Sequence, residues 1–288
     1  MASKRQRTRQ TDIPPRAMYN SFDQSVKLTN HDSSETDITT GIPAAPVTVR
    51  RQVFVNPPDS PLHSPGMHPA YYVRSTANIT GTSRANIAAT LVHPSGTQPY
   101  ARENAHRTVL QQHCDFFDRR GTGVLWPSDT FIGFHALGFN VLICLFAAVI
   151  IHVNFSYATV DGVLPDPFFR VFLANIHRAK HGSDSGTYDN EGRFVPQAFE
   201  NFWTKYAGGK DSMTVRETWA GVSGQRCIAD PIGWSAAVLE WTATWILLWP
   251  QDGKIRKEDV RGVFDGSLFY TVAERNTGRP WKRGKERR

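Results

Sequence analysis

The sequence lacks an uninterrupted apolar run of about 20 residues, a close-spaced cysteine pair and a Gly-rich dinucleotide-binding motif. Its clearest apolar stretch, residues 141–151, is short for a transmembrane span and favours a core, re-entrant or interfacial segment. The three scattered cysteines argue against a zinc site and indicate free thiols in a reducing compartment. No apolar core follows the first basic residues, so we expect no secretory signal there.

Excess positive charge is missing from the middle of the chain. Residues 109–274 carry 18 acidic and 14 basic side chains, whereas the 288-residue chain has a formal net charge of +7. The excess basic residues therefore lie in residues 1–108 and 275–288. A nucleic-acid-binding domain usually carries basic charge on its folded part, so we expect no nucleic-acid partner. The basic ends are typical of solvated tails; if they bind anything, anionic lipid head groups are favoured.

Three regions follow from the pattern along the chain. Residues 1–107 are expected to be a flexible region of low order, because Pro, Ser and Thr are frequent and no helical or strand period extends far. Residues 108–274 show helical periodicities separated by polar loops, including patterns at 196–206 and 234–249, and predict a mainly α domain. Residues 275–288 form a basic C-terminal tail.

Residues 118–129 have the spacing of an EF-hand calcium loop. Gly123 stands at position six, where such loops turn sharply. Arg120, however, stands at position three, where an oxygen ligand is expected. The loop predicts an EF-hand-like helix–loop–helix shape, and a calcium site and a metal-free loop both stay open. Its candidate calcium ligands are the side chains of Asp118, Thr122 and Asp129 and the carbonyl group of Val124.

Two histidine positions are distinctive among the ten histidines. His113 lies on the helix that enters the loop, five residues before Asp118. His177 and His181 are four residues apart, which would place them on one face of a helix. Without a third ligand this spacing is weak evidence for a metal, so the residues alone indicate a polar site of open chemistry.

The runs LQQHCDFFDRRGTGVLWPSD and HRAKHGSDSGTYDNEGRF resemble the caleosin family, haem peroxygenases of lipid droplets and membranes, and suggest a fungal-like member. The resemblance covers roughly residues 108–274. It implies a lipid-associating segment at 136–170 with a proline knot and a polar haem motif at 175–196. The knot is partly kept, since Arg170 stands where plant members have a third proline.

The resemblance implies haem b and Ca²⁺ as cofactors, with the haem iron held by His113 and His181. It implies oxygen transfer from fatty-acid hydroperoxides to unsaturated fatty acids or sulfides. If both histidines bound iron together, no position would remain for a peroxide. Either one histidine is the proximal ligand and the other a distal acid–base group, or one histidine leaves the iron on activation. We expect His113 to be the proximal ligand, because the packed helix beside the loop can hold it, whereas His181, in a glycine-adjacent polar segment, is better placed to move. Asp184 and Arg193 are candidates to orient His181 or the peroxide.

The resemblance also implies a location on lipid droplets and the endoplasmic reticulum membrane, at the cytosolic face. The competing hypothesis is a non-catalytic, calcium-responsive coat protein of lipid droplets, with structural histidines and the apolar segment as its functional part. Because His113 is close to the loop, we expect removal of calcium to lower haem retention. Oligomer formation stays open.

Overall fold

The computed structural model describes residues 26–30, 35–40, 51–52, 87–90, 92–93, 95–104 and 106–281. The rest of the N-terminal region expected to be flexible, and residues 282–288 of the basic tail, lie outside the described residues. The chain divides into two units, residues 1–51 and 52–288. Short strands come first, in the order β1-β2-β3, with β1 and β2 antiparallel: β1 (Val26–Asn30), β2 (Glu35–Thr40) and β3 (Arg51–Gln52).

The second unit is mainly helical, as the periodicities predict. The patterns at 196–206 and 234–249 correspond to α5 and α7. The helices are α1 (Tyr100–Glu103), α2 (Val109–Asp115), α3 (Pro127–Ala136), α4 (Val141–Thr159), α5 (Pro196–Ala207), α6 (Val215–Gly224), α7 (Pro231–Leu248), α8 (Lys257–Phe264) and α9 (Ser267–Thr277). A 3-10 helix spans Leu173–Ala179, and four further strands are β4 (Val124–Leu125), β5 (Val171–Phe172), β6 (Ser212–Thr214) and β7 (Lys254–Arg256).

Polar side chains fix where the main helices begin. The Thr108 hydroxyl accepts from the backbone N–H of Gln111, and the Gln111 side chain accepts from the backbone N–H of Thr108, a capping box that starts α2. Asn140 accepts from the backbone N–H of Ile143 and starts α4. Each cap satisfies a backbone donor that a helix leaves without an internal partner. Helix α2 carries His113, one of the two distinctive histidines of the sequence.

Two pairs of short strands tie the helical units together. In the first, Leu125 of β4 lies opposite Val171 of β5, and in the second, Met213 of β6 lies opposite Ile255 of β7. All four side chains are buried. The segment after α4 therefore pairs with the loop 118–129. In the same way, the helix pair α5 and α6 is joined to the helix pair α7 and α8 through β6 and β7.

The core contains two aromatic-rich clusters. One cluster includes Phe116 and Phe117, and the other includes Phe199 and Trp203. Fully burying one such side chain contributes roughly 1.5–3 kcal/mol. Residues 87–90 join this packing, since Ala88 and its neighbours are buried and the Thr90 hydroxyl donates to Glu258 of α8 at 2.8 Å. The ordered chain thus includes residues before position 108, where the periodicity suggested a start.

Helix α4 runs unbroken for 19 residues, through the polar residues His152 and Asn154 and so past the short apolar stretch 141–151 that the sequence showed. The correction has a physical reason, because His152 and Ser156 point into the domain and bond to it. Within the described residues α4 is the one helix long and apolar enough to cross a membrane, judged by length and composition. Its outward face exposes large apolar side chains: Val141, Leu142, Leu145, Phe146, Val149, Val153 and Tyr157.

Candidate functional site

His113 is held by the far end of the chain. Its Nδ1 atom lies 2.7 Å from the carbonyl oxygen of Val263, near the end of α8. A carbonyl oxygen only accepts, so Nδ1 carries the proton and donates it, and Nε2 is the basic nitrogen. Nε2 has no hydrogen-bond partner within the described residues. The ring also meets the edge of Phe269, with 5.1 Å between ring centroids.

Close backbone packing makes this contact reachable. Gly266 has φ +77°, and a Cβ atom there would lie 2.8 Å from the carbonyl oxygen of Gln112 and 3.0 Å from the Cα of His113. A larger residue would therefore push the start of α9 away from α2. Glycine at this position lets the turn after α8 approach the histidine closely.

Tyr188 bonds to the neighbouring carbonyl of the same helix end. Its hydroxyl donates to the carbonyl oxygen of Phe264 at 2.5 Å. At the end of α8 the Val263 carbonyl accepts from His113 and from the backbone N–H of Gly266, and the Phe264 carbonyl accepts from Tyr188. Burial raises the pKa of Tyr188 well above its usual value, and burial lowers the pKa of His113. Both groups are therefore held neutral near pH 7.

His181 lies in the loop after the 3-10 helix and has a carboxylate partner on α7. Its Nε2 atom lies 3.4 Å from an Oε1 of Glu240, on α7. Its Nδ1 atom is buried and has no hydrogen-bond partner in the described part of the chain. Burial alone would lower the pKa of His181, but the hydrogen bond and charge of Glu240, with the charges of Asp184 and Asp230, raise it above its usual value.

The loop that carries His181 is pinned to the start of α7. One Oδ2 of Asp230 accepts from both the backbone N–H and the hydroxyl of Ser183, each at 2.8 Å. Its other oxygen accepts from the backbone N–H of Gly233 and caps α7. The hydrogen bonds from Ser183 hold the pKa of Asp230 below its usual range. Asp230 therefore fixes the position of the His181 loop along the axis of α7.

The structure gives Asp184 and Arg193 local partners. Asp184 forms an ion pair with Lys180 at 2.9 Å and accepts from the backbone N–H of Gly186, while its charge also acts on His181. Arg193 donates its Nε to Asp189 at 2.7 Å, within a turn that the Asp189 carboxylate closes. Asp184 is thus within electrostatic reach of His181, and Arg193 belongs to the neighbouring turn.

We call His113, Tyr188, His181 and Glu240 the histidine site. The negative charge of Glu240 acts most directly on His181, to which it bonds, and to a smaller extent on His113 and Tyr188. The sequence did not single out Glu240, although it is the one charged residue of α7. A lone acid in such a helix was the available signal. Tyr188 lies in the run HRAKHGSDSGTYDNEGRF, but its contact with the end of α8 depends on the fold.

The loop 118–129 is closed by its own side chains. Asp118 is buried, and its Oδ2 accepts from the backbone N–H of Gly123 at 2.6 Å. The Thr122 hydroxyl donates to the carbonyl oxygen of Val124 at 3.3 Å. Asp129 forms an ion pair with Arg120. Calcium takes six to eight oxygen ligands, and a guanidinium on the last carboxylate removes part of that set, so these residues fit a calcium ion poorly.

The turn after α4 presents further apolar side chains. Val163, Leu164, Phe168 and Phe169 are at least half exposed. Arg170, in the place of the third proline of the knot, forms an ion pair with Asp166 at 2.6 Å and lies over the Trp126 ring. The partial knot is therefore braced by an ion pair, and the turn adds to the apolar surface of α4.

Comparisons with known proteins identify relatives of this chain. A family model described as "Caleosin related protein" matches residues 105–273, well over half of the chain. A protein named "Peroxygenase" from Lilium longiflorum is 38% identical over 198 residues, which cover 68% of this chain and 82% of that protein. "Probable peroxygenase 4" of Arabidopsis thaliana is 38% identical over 175 residues, 60% of this chain and 90% of that protein.

A further Arabidopsis thaliana relative, named "Probable inactive peroxygenase-like protein", is 32% identical over 162 residues, 54% of this chain and 75% of that protein. No solved structure matches the chain. The family match spans α2, the loop 118–129, α4 and the histidine site. On this sequence similarity, the chain belongs to the caleosin family.

Proposed function

We propose that this chain is a haem-dependent peroxygenase that transfers oxygen from fatty-acid hydroperoxides to unsaturated lipids or sulfides at a membrane surface. The observation that carries the proposal is the hydrogen bond between His113 Nδ1 and the Val263 carbonyl, which points to a basic Nε2. Two relatives named as peroxygenase or probable peroxygenase support an oxidoreductase role. Membership of the caleosin family supports the lipid setting.

The histidine site fits a haem group in its donor atoms. His113 offers Nε2, and the Val263 carbonyl at Nδ1 fixes both the tautomer and the ring orientation, as in other metal-ligating histidines. His181 offers a buried Nδ1 without a protein partner, which is costly unless something else bonds to it. When bound, haem would supply the oxygen-transfer chemistry. His113 would hold the haem iron through Nε2, and His181 would serve the reaction as an acid–base group.

His181 is suited to moving a proton in the reaction. Its Nε2 is engaged by Glu240, so Nδ1 is the atom that can take the hydroperoxide proton and return it to the departing alkoxide oxygen. The products are then an alcohol and the oxygenated acceptor. The raised pKa of His181 makes Nδ1 a stronger base, because Glu240 stabilises the imidazolium that forms when Nδ1 takes the proton.

Glu240 is a positioning residue in this account. It acts on the reaction through His181, by holding the ring and by stabilising its protonated form. Asp184 adds to the same field. We propose Asp184 as a weaker electrostatic partner, and Arg193 as an indirect one that orders the turn following His181 through Asp189.

The apolar surface of α4 and its following turn supports delivery of lipid substrates. Large apolar side chains exposed over such a length favour contact with lipid rather than water. We propose that this surface associates with lipid droplets and with the cytosolic face of the endoplasmic reticulum membrane. Fatty-acid hydroperoxides formed in the lipid phase would then reach the enzyme without crossing water.

The direct test is turnover by the purified, haem-loaded chain. A fatty-acid hydroperoxide and an aryl methyl sulfide, without a reductase or NADPH, should give sulfoxide and the fatty alcohol in equal amounts. A His181→Ala protein should retain haem and lose most of this turnover. Absence of product from a protein with a normal haem spectrum would reject the proposal.

A non-catalytic lipid-surface protein is the alternative. The exposed face of α4 favours it, and one relative is named as inactive. On this alternative the chain would bind vesicles or droplets without haem, and substitution of His113 or His181 would leave lipid binding and function unchanged. Hydroperoxide-dependent sulfoxidation by the purified chain separates the two.

A further inference from the structure

We propose that the guanidinium of Arg120 takes the place of a bound cation in the loop 118–129, so that this loop folds and supports α2 without calcium. This inference departs from the calcium dependence that the family resemblance implies. It rests on the side chains of the loop alone and is independent of the proposed oxygen-transfer reaction.

The ion pair between Arg120 and Asp129 is the first observation. Asp129 is position twelve of the loop, and its side chain is 8% exposed, whereas that of Arg120 is 47% exposed. A carboxylate buried to this degree needs a charge or hydrogen-bond partner. Arg120 Nη2 bonds to Oδ2, the same oxygen that accepts from the backbone N–H of Trp126 at 2.9 Å.

Asp129 is therefore already committed to starting α3. Its carboxylate accepts from the backbone N–H of Trp126, the N-cap residue, and so satisfies a free donor at the first turn of that helix. The guanidinium of Arg120 also lies 5.5 Å from the centre of the Trp126 ring, a cation–π distance. Arg120 thus links positions three, nine and twelve of the loop, which in a calcium-bound loop are brought together by the ion.

Position one of the loop is partly engaged by the backbone. Asp118 Oδ2 accepts from the backbone N–H of Gly123, whose φ is +71°. The other oxygen, Oδ1, is buried and makes no hydrogen bond within the described residues. With the Thr122 hydroxyl and the Val124 carbonyl it forms three oxygen donors, fewer than the six to eight that calcium takes.

Charge counts against calcium too. A doubly positive ion among these donors would lie beside the Arg120 guanidinium, whose positive charge would repel it. In the part of the chain that the structure describes, no group of three or more His, Cys, Asp or Glu side chains is arranged to hold a metal. Arg120 supplies the positive charge that Asp129 needs.

The consequence concerns the helix that carries His113. Loop 118–129 follows α2 directly, so its closure helps to keep α2 in place. If Arg120 closes the loop, the loop supports α2 at any calcium concentration. Chelation of calcium should then leave the position of His113 unchanged.

Thermal unfolding of the purified full-length chain in detergent tests the proposal. We expect the Tm in 1 mM EGTA and in 1 mM CaCl₂ to agree within about 1 °C, and calorimetry to detect no calcium binding. The Arg120→Ala protein should unfold at least about 3 °C lower in EGTA, because Asp129 loses its partner. Arg216→Ala, at an exposed position on α6, is the charge-matched control and should keep the native Tm.

An Arg120→Asn, Thr122→Asp protein serves as the positive control, since it restores oxygen ligands at positions three and five. We expect calcium to raise its Tm by roughly 5 °C at 100-fold saturation. A calcium-dependent rise of that size in the native chain would overturn the proposal. So would an Arg120→Ala protein that keeps the native Tm in EGTA.

Discussion

The Nδ1 atom of His113 and the carbonyl oxygen of Val263 are 2.7 Å apart although 150 residues separate them in the chain. This hydrogen bond orients the ring and makes Nε2 the basic nitrogen. Replacing His113 by alanine should therefore lower haem affinity by at least tenfold, which titration of haem and the Soret absorbance would measure. His135→Ala, at an exposed histidine of α3, should bind haem normally. Normal haem binding by the His113→Ala protein would rule out the proximal assignment.

Glu240 should control the ionisation of His181. In Glu240→Gln the negative charge is lost, so the pKa of His181 should fall and the matching limb of the kcat/KM profile should move to lower pH. The haem spectrum should not change, because His113 is untouched. Glu274→Gln, at an exposed acid on α9, should leave the profile in place. A Glu240→Gln profile that overlays the native one would exclude Glu240 as a positioning residue.

The outward face of α4 should carry lipid binding. Replacing Leu142 and Phe146, which are 78% and 53% exposed, by serine removes apolar area that would enter the lipid surface. We expect binding to phosphatidylcholine vesicles to fall by roughly tenfold or more. Replacing Val215 and Trp219, exposed on α6, by serine is the matched control. Equal losses in both pairs would mean that binding is not specific to α4.

His152 should make the fold sensitive to acid. It is buried, its Nδ1 donates to the carbonyl oxygen of Phe169 at 2.6 Å, and its Nε2 accepts from the hydroxyl of Thr130 at 2.8 Å. Burial lowers its pKa. The unfolded chain therefore binds its proton first as the pH falls. The contribution of His152 to the free energy of unfolding is complete above about pH 6.5. Below that pH it falls by about 1.4 kcal/mol per pH unit until the pKa of the folded state is reached.

Urea unfolding of native and His152→Gln protein between pH 7.5 and 5 measures the contribution of His152 to the free energy of unfolding. Glutamine can keep the polar contacts but does not titrate, so the difference in unfolding free energy between the two proteins should shrink as the pH falls. His135→Gln, at an exposed position, should follow the native curve throughout. A constant difference between the native and His152→Gln curves would show that His152 does not set the acid sensitivity.

Much of the fold was predictable because local rules and burial agree. Helical periodicity predicts α5 and α7 to within a few residues, and the Pro and Asp residues after Leu164 predict the turn that follows α4. The length of α4 was not predictable in the same way. His152 and Asn154 reduce the apolar character of the run, and only the folded domain supplies the Thr130 and Phe169 partners that make a buried His152 acceptable.

The site was predictable only where the chemistry lies in a short motif. His113 and His181 stand in recognisable sequences, but the Val263 partner is a backbone carbonyl, which no side-chain pattern marks. Glu240 lies 59 residues from His181, so their contact depends on how α7 packs. Arg120 was visible as an odd residue in a calcium-type loop, yet its bond to Asp129 follows only from the closed loop.

The most direct test of the central claim is the origin of the transferred oxygen. Haem-loaded native chain should be given a fatty-acid hydroperoxide labelled with ¹⁸O in both peroxide oxygens and an aryl methyl sulfide, in unlabelled water under argon. Mass spectrometry should find the label in the sulfoxide, and its partner oxygen in the fatty alcohol, with nearly complete transfer. Unlabelled sulfoxide, or no sulfoxide from protein with a normal Soret band, would contradict the account.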